Sequence, residues 1–213
     1  ELVRYRKSLV GERTRELNRL QKMLEGANIK LSGTVSDING KSARSILEYL
    51  LTGECIDGAK YDEMYEQKII AHNLKATKEQ IIDDLNGVMT PLQRRMMKEL
   101  LSHLDELNTH IKNLDDEIDN FMKPEEKQAS QAIQDVTGIG NTSAQAIISV
   151  IGTDMERFST DRHISSWAGL CPGDNESAQK RKSGKTRKGN SLLRTTLITC
   201  AHAAVKNKKS YFY

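Results

Sequence analysis

The sequence predicts a mainly α-helical protein, in which a long helical coiled-coil arm is followed by a small helical domain with a helix-hairpin-helix element and a basic irregular loop. Three observations predict it. Aromatic residues make up only 5% of the 213 and there are three prolines, against 29% charged residues, a balance that suits long solvent-exposed helices better than a sheet or an aromatic core. Apolar residues recur at spacings of three and four over long stretches. Thr90 and Asn190, residues of types that cap helices, stand where two of those stretches begin.

The opening places Leu2, Leu9, Leu17, Leu20 and Leu24 at near-helical spacing among Arg4, Arg6, Lys7, Arg13, Arg15, Arg19 and Lys22, and Gly26 supplies a stop. This is a basic amphipathic helix. Glu12 and Glu16 lie among the cations and can pair locally, so the charges read first as a solvated face and second as a contact for nucleic acid. Glu1 stands inside a helical pattern without an initiator methionine, and the start reads as a cut edge with sequence missing upstream. Shorter helical patterns follow at 42–51, 61–74 and 79–85, punctuated by Gly33, Gly40, Gly53, Gly58 and Gly87. No chemistry is legible there.

Thr90-Pro91-Leu92-Gln93 combines a hydroxyl cap, a proline in the first turn and a glutamine three residues after the cap, a strong helix start. Leu104, Leu107, Ile111, Leu114, Ile118 and Phe121 then alternate by three and four until Pro124, which is a heptad seam. It predicts a coiled coil or an antiparallel helical hairpin, closing either on a second chain or on the earlier helices of its own. The acidic run at 115–120 alternates with apolar positions, and solvation accounts for it. Pro124 and the polar stretch 125–130 mark the expected boundary between a helical linker and coiled-coil region, 1–124, and a C-terminal domain, 125–213.

Net charge is +3 overall but uneven: residues 163–213 carry ten Lys or Arg against two acids, leaving −5 on the rest. A basic end on an acidic body is the footprint of a surface for a polyanion. Cys55, Cys171 and Cys200 are far apart, with no paired spacing for zinc or redox chemistry, and read as reduced thiols. No apolar run approaches the ~18 residues of a membrane span and no signal sequence is legible, so a cytoplasmic protein without membrane contact is expected.

Two segments carry candidate chemistry. In Thr137-Gly138-Ile139-Gly140, between helical patterns, two glycines flank an apolar residue that can tuck under the turn. Gly138 and Gly140 open backbone conformations closed to other residues, and the following helix start can face a phosphate. Such a hairpin grips backbone rather than sequence; a plain packing turn is the alternative. Farther on, residues 178–190 hold Lys180, Arg181, Lys182, Lys185, Arg187 and Lys188 with no acid among them. A folded domain gains nothing by crowding like charge, so a polyanion is the natural partner. Asn190 then opens a capped amphipathic helix that anchors the basic segment from behind.

The pattern TGIG…A..I…IG.D..RF, followed by SWAGLCPG…S…R..G.T.KGN..LR..L, resembles the C-terminal transposase domain of the IS-one-ten family of insertion sequences, which also embraces the Piv-type DNA invertases. The opening RYRKSLVGERTRELNRLQKMLE and the heptad helix resemble that family's linker and coiled coil, so the likeness runs over essentially the whole chain. It implies DNA strand cleavage and transfer by a serine that becomes covalently joined to DNA. It also implies an N-terminal RuvC-like domain, absent from this chain, whose four acidic residues bind magnesium, and action as an oligomer through the coiled coil, in some members guided by a structured RNA. The family serine matches Ser177, although Ala178 stands where many relatives have glycine, and Ser183, followed by Gly184, is the alternative. Lys180, Arg181, Lys185, Arg187 and Lys188 would stabilise charge building on the phosphate, with Lys182 beside them, while Asn190 and Arg194 would orient the loop or a phosphate oxygen.

No residue of the chain presents itself as the general base that a serine nucleophile needs; His163 and His202 are too ambiguous. Nor are four carboxylates spaced to hold two metals. No cofactor is therefore expected in this chain, which by itself would be inactive. A noncatalytic nucleic-acid-binding module and a site-specific DNA invertase are the competing readings.

Overall fold

A computed structural model of the chain describes all residues except 36, 71–75, 172–175, 178–179, 182–184, 187 and 212–213, with backbone alone at 34, 176–177 and 180–181. The protein is mainly helical. In chain order the helices are α1 (Leu2–Gly26), α2 (Leu31–Thr34), α3 (Lys41–Leu50), α4 (Gly58–Glu66), α5 (Lys78–Asp84), α6 (Pro91–Phe121), α7 (Pro124–Gln134), α8 (Asn141–Ile151), α9 (Asp161–Trp167) and α10 (Ser191–Lys206). Between α9 and α10 lies a two-stranded antiparallel pair, β1 (Glu176–Ser177) and β2 (Lys180–Arg181).

The starts of these helices follow their sequences. Thr90 and Gln93 exchange hydrogen bonds, the Thr90 amide donating to Gln93 Oε1 at 2.8 Å and the Gln93 amide to Thr90 Oγ1 at 3.2 Å. Thr77 and Gln80 form the same reciprocal cap on α5, Thr160 caps α9 and Asn190 caps α10. Each satisfies amides that the first turn leaves without partners.

The chain folds as two units, residues 7–113 and residues 1–6 with 114–213. In the first, Leu20 and Leu24 of α1, Ile46 and Leu47 of α3, Ile81 of α5 and Met97 and Leu104 of α6 share one buried core. Here α1 and α6 run antiparallel: Arg13 donates to Asn108 Oδ1 and Glu16 faces His103, so three residues forward along α1 are five back along α6. The seam residues Leu104, Leu107 and Ile111 are buried within this single chain, the intrachain outcome of the two that the heptad pattern leaves open.

In the second unit α8 is central, packed against α7 and α10. Ala144, Ala146, Ile147, Ile148 and Ile151 are all buried, as expected of a helix enclosed on more than one side. Ile147 and Ile151 join Ala168 and Leu193 in one cluster, while Ala146 joins Val3, Ile118 and Leu192 in another. Leu114 and Ile118 continue the seam as buried positions, but Phe121 does not: it is 77% exposed. It occupies the last residue of α6, where the helix stops before Pro124.

Candidate nucleic-acid interface

The glycine turn links α7 to α8. Its two glycines have different duties. Gly138 adopts φ +94, the left-handed region that favours glycine, and a Cβ there would lie 2.5 Å from the carbonyl oxygen of Cys200 and 2.8 Å from the amide nitrogen of Ala204. The turn is thus pressed against the backbone of α10. Gly140 has φ −92 and ψ 173, extended backbone open to any residue, and a Cβ there would meet nothing within 4 Å. It is exposed at the cap position of α8, where no side chain caps the helix. Ile139 between them packs against the cluster around Ile147 and Leu193, which holds the start of α8 at the surface while its body is buried.

The first turn of α8 is braced from behind. Arg6 is only 4% exposed, although a cation on a basic helix face reads as solvated. Its guanidinium donates to Asp115 Oδ1 at 2.6 Å, to Gln145 Oε1 at 2.7 Å and to the Thr142 carbonyl at 3.2 Å. Gln145 in turn donates to Asp119 Oδ1 at 2.6 Å. Asp115 and Asp119 therefore have structural partners, a correction to the solvated reading of the acidic run. The planar fork of arginine suits such a site, because several parallel donors meet several acceptors at once.

The basic segment is closed at its base by glycine contacts. Gly169, with φ +75, ends the turn after α9, and Gly189 returns so closely that a Cβ would collide with the amide nitrogen of Gly169 and stand 2.5 Å from the Ala168 carbonyl carbon. The Asn190 amide donates to the Trp167 carbonyl at 3.4 Å, and Asn190 Oδ1 accepts from the Leu193 amide at 3.1 Å. Gly169 and Gly189 thus meet at one point of the domain, beside the start of α10. Sequence reasoning assigned nothing to Gly169, Gly189 or Trp167; the hint was the pair of glycines bracketing the basic run, and their contact depends on residues twenty apart.

Within that segment β1 and β2 pair Glu176 with Arg181 and Ser177 with Lys180. Ser177 and Lys180 form the inner pair, and the stretch expected to be irregular contains a short antiparallel pair of strands. Lys185 and Lys188 are exposed and Arg194 is half-buried on α10. Lys182, Ser183 and Arg187 lie outside the described residues, as do the side chains of Ser177, Lys180 and Arg181.

Among the described residues no group of three or more His, Cys, Asp or Glu could hold a metal ion. His163 packs edge-on against Phe158 at 5.7 Å. All three cysteines are free thiols, with Cys200 buried beneath the glycine turn. No helix of the described residues is long and apolar enough to cross a membrane.

Comparison with known proteins bears on the same part of the chain. Residues 130–213 match the family described as Transposase IS116/IS110/IS902. A protein of Sinorhizobium fredii (strain NBRC 101917 / NGR234) named "Putative transposase y4pF/y4sB" is 27% identical over 106 residues, which cover 49% of this chain and 27% of that protein. The chain thus spans about a quarter of the length of this curated relative. No solved structure matches it. The stretch that matches the IS116/IS110/IS902 transposase family is the one that contains the glycine turn, the basic hairpin and the helix that anchors both.

Proposed function

We propose that this chain is the C-terminal part of a DNA transposase and that Ser177 is its nucleophile toward DNA. The observation that carries the reading is the position of Ser177 in the hairpin: it pairs across the backbone with Lys180, in a segment fastened at its base and rich in cations. A serine hydroxyl is a weak nucleophile and needs both proton removal and charge stabilisation at the phosphate. Lys180, Arg181, Lys182, Lys185, Arg187 and Lys188 supply the second. In this reading Ser177 Oγ attacks phosphorus, the bond to a deoxyribose oxygen breaks, and that oxygen leaves as a hydroxyl. The serine proton passes to a base outside this chain. A hydroxyl of the receiving strand later displaces the serine and restores it.

The open start of α8 at Gly140 and the cations of the hairpin grip DNA backbone, with Asn190 fixing the loop through α10 and Arg194 available to a phosphate oxygen. Magnesium belongs to a RuvC-like domain outside these residues. Structured RNA and a homo-oligomer through the coiled coil are part of the same proposal, with Leu104, Leu107 and Ile111 buried within one chain and Phe121 of the same seam exposed.

The test joins the chain to that acidic domain and incubates it with element-end DNA, guide RNA and magnesium, looking for a protein–DNA adduct that resists denaturant. Loss of the adduct in Ser177→Ala, with Ser183→Ala still forming it, is expected. The reverse pattern moves the nucleophile to Ser183. DNA binding without any adduct in the wild type replaces the transposase by a noncatalytic binding module.

A further inference from the structure

We propose that Trp167 is a stacking platform for an unpaired nucleobase, placed at the root of the basic hairpin. The inference rests on the reading of this surface as a nucleic-acid interface and adds a recognition element that is neither a cation nor a backbone amide.

Trp167 is the single tryptophan of the chain, and 40% of it is exposed. A lone exposed apolar side chain is ordinary on a protein surface; the surroundings of this one are not. Phe158 meets the indole edge-on, with ring centroids 5.7 Å apart and planes at 62°, and meets the His163 ring in the same manner at 73°. Phe158 itself packs on the buried cluster of Ile147, Ile151, Ala168 and Leu193. The indole is therefore braced from the core while a large part of it remains open to solvent. A braced ring loses little freedom when a base stacks on it, which is the condition for a low-cost contact.

A cation is held close to the ring through the base of the hairpin. The Asn190 amide reaches the Trp167 carbonyl, and Lys188, two residues earlier, is exposed. Consecutive Cα atoms are about 3.8 Å apart, so the start of the Lys188 side chain is held within about two such steps of a residue touching Trp167. Arg157 and Arg162 adjoin Phe158 and His163 in the sequence and are exposed, as are the acids Glu156 and Asp161. An aromatic face beside a cationic track is how proteins hold single strands: charge follows the phosphates, and the ring takes a base of any sequence. A base inside a duplex is already stacked on both faces, so the ligand is a nucleotide that is unpaired or lifted out of its helix. Such bases occur in opened DNA ends and in folded RNA alike, and the chemistry at Trp167 is the same for both.

Because Trp167 is alone, red-edge excitation of the indole reports on this site only. The whole chain is titrated with a short single-stranded DNA, the same sequence as RNA, the DNA as duplex, and a single strand lacking its bases. Binding is followed independently by anisotropy of a label on each strand. Indole emission should be quenched in step with binding of one or both base-carrying single strands, and left unchanged by the abasic strand and the duplex; which strand quenches identifies DNA or RNA as the source. Trp167→Leu should weaken single-strand binding about tenfold or more, with Trp167→Tyr restoring most of it and duplex binding unchanged. Single strands that bind with no change in emission overturn the platform and leave the interface standing. Failure of every strand to bind overturns the platform and the interface together.

Discussion

A single methyl group separates the two glycines of the turn. At Gly138 it would be driven into the Cys200 carbonyl and the Ala204 amide, on a residue already at φ +94; at Gly140 it would meet open space. Gly138→Ala should therefore cost about 1–3 kcal/mol or more, through strain at a positive φ and backbone collision. Gly140→Ala should cost about 1 kcal/mol or less, the loss of a tolerated cap residue. Denaturant midpoints of the two variants check this, and equal losses would show that the turn is not pressed on α10. The glycine-isoleucine-glycine spacing was legible as a turn, and Ile139 tucks under it as the pattern suggests. The unequal duties of the glycines were not, because they are set by backbone atoms more than sixty positions away.

Helices are where local sequence was most informative. The caps read at Thr90 and Asn190 are both present, since a cap is decided by residues within one turn; Thr77 and Thr160 cap in the same way. What escaped was the fate of charged residues on helix faces, which depends on a partner helix. Arg6 and Glu16 are both buried, and nothing in the α1 sequence distinguishes them from their solvated neighbours. Glu16 accepts from Arg19 at 2.5 Å and its Oε1 lies 3.1 Å from His103 Nδ1. Burial pushes its carboxyl up, but the hydrogen bonds with His103 and Arg19 outweigh it and hold the group below its ordinary value. A carboxyl whose folded pKa is depressed adds stability above its unfolded value, about pH 4.3, and that stability is lost as pH falls through the lowered folded value. Glu16→Gln should thus be less stable than the wild type at neutral pH, and the gap should narrow steadily below about pH 4.3. Urea midpoints across that range decide it; a gap independent of pH would remove the carboxylate from the account.

For the molecule as a whole, the basic residues gathered near one end set how binding responds to salt. Affinity for DNA should fall linearly on a logarithmic plot as salt rises, and Lys188→Ala should reduce the slope by about one. An unchanged slope would place Lys188 away from phosphate. The mainly helical class was legible from composition, which is a global sum. The hairpin pairing of Ser177 with Lys180 was not, because two-residue strands leave no periodicity to read.

The Arg6 network also bears on the order in which the protein is made. Arg6 is 139 residues from Gln145, its partner on α8, and ribosomes add about 5–20 residues per second. Residues 7–113 supply their own core and can close on themselves while α8 is still unmade. Arg6 meanwhile waits about seven to thirty seconds for Gln145. The unit that carries the basic hairpin thus draws on the first residues of this chain and on its last helix, so it assembles only after the other unit has had time to fold.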